Sequence, residues 1–144
     1  MKLSSKLISL IRIGSLIAII VATIVLVVTA LPTLAGGHLA DTRLLVHMMA
    51  SGVVVALLPV YAIARLMPSS RGTLDTSAQR TALRCLLLFG LLTTATMFVC
   101  MLPIASTHTM ETLIALHGWS GYALAVATVW VGIMSLGGRR RLPL

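Results

Sequence analysis

Acidic side chains are almost missing from this chain. Its 144 residues hold three Asp and Glu against eleven Lys and Arg, for a net charge of +8. Aromatic residues are just as scarce, with two each of Trp, Tyr and Phe. A basic protein that grips nucleic acid needs a basic groove or stripe with stacking side chains, and neither is present, so a nucleic-acid role is excluded. There are only two cysteines, Cys85 and Cys100. On one helix they would lie about 22 Å apart, beyond the reach of a disulfide, which leaves apolar packing as their use. The absence of a Cys-x-x-Cys-His run excludes covalent attachment of a c-type haem.

What the chain has in abundance is hydrocarbon. With 58% hydrophobic and 10% charged residues, it falls outside the range of soluble domains and reads as an integral, multi-pass membrane protein in a lipid bilayer. Four stretches could span, at roughly Ile13–Leu31, Leu44–Ala64, Cys85–Leu102 and Leu113–Leu136. The third is short and is expected to extend back through Thr81–Leu83 past Arg84. The first apolar run follows two lysines and precedes Thr33-Leu34-Ala35, as in a secretory signal, but it is longer than the usual hydrophobic region of such a signal. It is therefore expected to be a retained span. Leu31-Pro32 and Leu102-Pro103 are expected to end the first and third helices.

The placement of positive charge orients these spans. Lys2, Lys6 and Arg12 precede the first, Arg65, Arg71, Arg80 and Arg84 flank the second connection, and Arg139, Arg140 and Arg141 follow the last. If the spans alternate, all fall on one side, which the positive-inside rule makes cytoplasmic. The other side keeps Arg43 alone, with Asp41 and Glu111. The expected fold is an all-α, four-transmembrane-helix bundle of two repeated helical hairpins with both termini cytoplasmic. It forms one membrane domain over 1–144, with pseudo-repeats at 7–66 and 80–137 and a polar cytoplasmic linker at 67–79.

The repeat is most explicit in a phrase used twice, His38-x-x-Asp41-Thr42-x-x-x-x-His47 and His108-x-x-Glu111-Thr112-x-x-x-x-His117. It contains all four histidines. An ionisable group in a bilayer marks function by default, and His47 and His117 recur at matched depth near the outer ends of the second and fourth helices. Small residues accompany them: Ser51 and Gly52 after His47, Ser120 and Gly121 after His117. Such residues leave room either for a flat ligand or for close helix contact. In a repeat whose axis runs along the membrane normal, the second and fourth helices would face each other. A b-type haem held by one imidazole on each axial side suits that arrangement, with neutral imidazole as donor and apolar walls for the macrocycle. Arg43 is then either a partner for a propionate or a snorkelling interfacial charge.

His38 and His108 are expected in the outer loops, either solvated or, with the other two, in a copper or zinc site. Nearby Met48, Met49, Met101 and Met110 read as packing. Asp41-Thr42 and Glu111-Thr112 are expected to cap the second and fourth helices. The inner half carries no histidine: fourteen residues beyond His47 stands Tyr61, and beyond His117 stands Val131. A second haem stacked toward the inner face would therefore lack ligands.

At this point two families come into view. Leu116-His117-Gly118-Trp119-Ser120-Gly121-Tyr122 resembles the Leu-His-Arg-Trp/Tyr-Ser-Gly helix start of small bacterial cytochrome b subunits of the hydrogenase, formate dehydrogenase and thiosulfate reductase group. The resemblance covers mainly the fourth helix. The overall plan is similar to one four-helix half of heme A synthase, and that resemblance implies His47 and His117 as the axial pair. The run Leu87–Met101, followed by Ile114-Ala115-Leu116-His117, shares its character. Leu44 and Ile114 stand where that family has glutamate three residues before its first ligand, and the outer-loop cysteines of many members are missing. These departures count against hydroxylating activity.

The expected function is that of a haem b subunit in electron transfer at the outer face of a prokaryotic cytoplasmic membrane. His47, His117, Arg43, Ser51 and Gly121 would bind the cofactor. Other membrane subunits, an extracytoplasmic electron carrier or a quinone would be its partners. A compact haem-modifying enzyme, or a copper-binding, zinc-binding or structural subunit, remains the alternative.

Overall fold

The computed structural model describes residues 5–34, 36–37, 39–66, 76–102 and 106–137. They form four α-helices, α1 (Ser5–Leu34), α2 (Asp41–Leu66), α3 (Ser77–Cys100) and α4 (Thr107–Gly137). No strand occurs among the described residues. All four helices are long and apolar enough to cross a membrane. The shortest, α3 with 24 residues, extends about 36 Å, more than the ~30 Å hydrocarbon core of a bilayer. The third span does run back past Arg84, as its length required.

The chain divides into two compact units, Met1–Asp75 and Thr76–Leu144. Each is a helical hairpin, α1 packed on α2 and α3 packed on α4. A single stripe on each helix makes the contact. In the first hairpin it comprises Ser15, Ile19, Ala22 and Thr23 on α1, and Ala50, Val54, Leu58, Tyr61 and Ala64 on α2. In the second it comprises Ala82, Leu86, Gly90 and Thr96 on α3, and Ser120, Leu124, Ala127, Thr128 and Val131 on α4. Steps mostly of three or four residues keep each stripe on one face, and its small members let the helices approach closely. The other faces are apolar and uncovered by the hairpin, among them Ile24, Val28, Leu91, Val126 and Val129. Hydroxyls within the helices bond back to their own carbonyls, as Ser15 does to Ile11 at 2.7 Å and Thr128 to Leu124 at 2.8 Å. In a medium without water this is how an isolated hydroxyl is satisfied.

The helix ends correct several expectations. α1 does not stop at Pro32 but continues to Leu34. It is closed by Gly36, with φ of 78°, whose N–H bonds the Thr33 carbonyl, and by Gly37, whose N–H bonds the Pro32 carbonyl at 3.0 Å. This is a Schellman ending, which requires a residue in the left-handed region where Gly36 stands. α3 starts at Ser77, inside the stretch expected to be linker up to residue 79, because Thr76 and Gln79 form a reciprocal capping box. The remainder of that linker, 67–75, lies outside the described residues, as does Pro103.

Neither Asp41-Thr42 nor Glu111-Thr112 is a cap. Asp41 is the first residue of α2, with φ of 51°, and the first helical bond runs from the Leu44 N–H to the Ala40 carbonyl. α4 is capped by Ser106, which accepts from the Thr109 N–H at 3.3 Å. Glu111 and Thr112 follow inside the helix, and Thr112 bonds back to the His108 carbonyl at 3.0 Å.

The α1 ending yields a stability prediction. Gly36→Ala should cost about 1 kcal/mol through the left-handed backbone alone. Gly37→Ala should cost more, because its Cβ would sit 2.8 Å from the Pro32 carbonyl oxygen, a backbone atom. Thermal unfolding in detergent should fall in the order wild type, Gly36→Ala, Gly37→Ala; an unchanged midpoint for both would contradict this ending.

Candidate functional site

His47 lies in the second turn of α2 and His117 in the third turn of α4, both half-buried. Each sits one turn before the first buried residue of the packing stripe, Ala50 or Ser120. The stripe turns each ring toward the preceding helix of its own hairpin. There each ring meets a threonine. His47 Nδ1 lies 2.8 Å from Thr29 Oγ1 of α1, and His117 Nδ1 lies 3.3 Å from Thr96 Oγ1 of α3. His117 Nδ1 is also 3.0 Å from the backbone carbonyl of Thr93.

These contacts assign the ring protons. A carbonyl oxygen only accepts, so the His117 Nδ1 bears hydrogen and donates it to Thr93. The lone pair of that imidazole is then on Nε2. The Thr29 hydroxyl lies 2.8 Å from the Val25 carbonyl and 3.0 Å from that of Leu26, and donates its single proton to the helix. Its lone pairs then face His47 Nδ1 and suit a proton on that nitrogen. An Nδ1–H anchored to a hydroxyl or carbonyl, with Nε2 as donor, is the arrangement in which protein imidazoles ligate metals.

Thr29, Thr93 and Thr96 were not singled out by the histidine phrases. A signal was present: each first helix carries hydroxyls in the turns just before its Leu-Pro pair, within an otherwise apolar run.

The other candidates separate. Arg43 is exposed in the first turn of α2, four residues before His47 and so on the same side of the helix. Ser51 follows His47 by one turn and bonds the Met48 carbonyl at 2.7 Å. Gly121 follows His117 by one turn, and a Cβ built at Gly52, Gly118 or Gly121 would meet nothing within 4 Å. Within its own hairpin, therefore, none of these glycines makes a close helix contact.

His108 is not in a loop. It is the second residue of α4 and is exposed. Nine residues of helix turn it to the side opposite His117, about 13 Å away along the axis, so these two imidazoles do not converge. His38 lies outside the described residues. No group of three or more His, Cys, Asp or Glu that could hold a metal ion occurs among the described residues. Cys85 and Cys100 are both free.

Charge is segregated along each hairpin. Lys6, Arg12 and Arg65 stand at the end of the first away from His47, while Arg80 and Arg84 stand at the end of the second away from His117. The histidine ends carry Asp41, Arg43 and Glu111.

No protein-family model matches this chain, and comparison with curated proteins and with solved structures finds no match.

The Thr29 contact can be measured directly. In a double-mutant cycle, Thr29→Val and His47→Ala should show a coupling of about 1 kcal/mol in the unfolding free energy. Additive effects of the two substitutions would remove Thr29 from the site.

Proposed function

We propose that the chain is a haem-binding membrane subunit that takes one b-type haem through Nε2 of His47 and His117 and serves electron transfer. One observation carries this reading: in both hairpins a half-buried imidazole presents Nδ1 to a threonine of the preceding helix, an arrangement that supports Nε2 as the donor atom. Two imidazoles so oriented would hold a haem iron, and the haem when bound would supply one-electron transfer.

The chain's own residues supply the rest. Thr29, Thr93 and Thr96 orient the rings. Open space at Gly118 and Gly121 admits a flat ligand. Arg43, one turn before His47, offers a guanidinium to a propionate. The apolar faces of the helices exclude water.

The segregation of charge supports cytoplasmic termini and histidines toward the outer face. Electrons would then pass between a quinone or a membrane partner and an extracytoplasmic protein. The lack of any histidine in the inner half makes a larger complex the natural context for transfer across the membrane.

The test is optical. The purified protein should show a Soret band that sharpens and shifts on reduction, without binding of added carbon monoxide at a six-coordinate iron. The combined substitution His47→Ala plus His117→Ala should abolish the band with the helical content retained. A Soret band that survives the double substitution, or none in the wild type, refutes the proposal; copper or zinc in its place would favour a different metal at these residues.

A further inference from the structure

The two histidine sites are built alike at their centres and differently one turn away. Matching the hairpins at their ring contacts pairs Thr29 with Thr96. Three residues before each of these stand Leu26 and Thr93, and three residues after each histidine stand Ala50 and Ser120. The first hairpin therefore has an apolar pair where the second has two hydroxyls, and the two hydroxyls are bonded. Thr93 Oγ1 donates to Ser120 Oγ at 3.0 Å, while its proton is shared with the Phe89 carbonyl at 2.7 Å. Ser120, only 3% exposed, donates in turn to the His117 carbonyl at 3.0 Å.

A closed circuit results. The His117 ring donates to the Thr93 main chain, the Thr93 side chain donates to Ser120, and Ser120 returns to the His117 main chain. The circuit crosses the α3–α4 contact twice, once through the imidazole and once through the hydroxyls. Sliding either helix along the other breaks the hydroxyl bond and lengthens the imidazole bond together.

We propose that Thr93 and Ser120 are positioning residues that lock the His117 ring against the Thr93 carbonyl and thereby strengthen Nε2 of this imidazole as a donor. The inference rests on the reading of His117 as a ligand. A ring N–H held on a carbonyl places more electron density on the other nitrogen, which would favour the oxidised state of an iron held there. The first hairpin has no hydroxyl pair at Leu26 and Ala50 with which to build the same lock.

Two readouts test it, and the first needs no haem. In full-length protein kept free of haem, ¹⁵N spectra should show the Nδ1–H tautomer for His117. Thr93→Val and Ser120→Ala should each speed exchange of that ring proton about tenfold and leave the His47 ring proton unchanged. Thr93→Ser, which keeps the hydroxyl, should exchange as wild type does. In haem-loaded protein, Ser120→Ala should retain the Soret band and raise the midpoint potential, whereas Thr93→Ser should not. Unchanged exchange at His117, equal acceleration at both histidines, or failure of Thr93→Ser to behave as wild type would each overturn the lock. If the wild type binds no haem, the ligand reading fails while the exchange data still decide whether the lock exists.

Discussion

A polar ring inside a hydrocarbon layer has to be satisfied by the chain that carries it, and this constraint organises both hairpins. Water does not compete there, so an imidazole N–H seeks an oxygen on the neighbouring helix. Thr29 supplies it in the first hairpin, and Thr93 with Thr96 in the second. The contact costs the threonines nothing in helix formation, because each hydroxyl already lies against a carbonyl of its own helix. In the second hairpin the bond that removes the cost of burying Nδ1 also fixes its proton, because the Thr93 carbonyl only accepts.

The packing stripe places these contacts. Ala50 and Val54 follow His47 along the buried face of α2, and Ser120 and Leu124 follow His117 along that of α4. Small residues let the helices approach until the ring meets the opposite threonine. Gly36 and Gly37 reverse the chain after α1, while α4 starts from its own Ser106 cap. The two hairpins thus reach similar ring contacts through different turns. The spacings differ too: Thr29 precedes His47 by eighteen residues and Thr96 precedes His117 by twenty-one, because His117 stands deeper in α4 than His47 does in α2.

Much of the architecture was legible before any coordinates. Apolar length and sparse charge announced four spans, and the doubled histidine phrase announced two hairpins. Helix ends were harder to read. Pro32 reads as a terminator, yet a proline in the last turn is tolerated when a glycine pair completes the ending two residues later. Asp41 and Thr112 read as caps by residue type, but capping depends on backbone position, and Ser106 holds it in α4. At the site, the histidines and the small residues beside them were visible because they repeat at a spacing of seventy. The threonine partners were hidden, because the threonine-to-histidine spacing differs by three residues between the hairpins and the ring contacts are offset by a turn. The histidine pairs of a phrase also look equivalent as text. Placing His108 in the first turn of α4 separates it from His117 by half a rotation.

The central claim is that these two anchored imidazoles serve one haem. Its most direct measurement is the amount of haem and of iron per polypeptide in protein purified from membranes. The account predicts one non-covalent b-type haem and one iron per chain. Protein that is folded and carries neither, or that carries copper or zinc in place of iron, would contradict it.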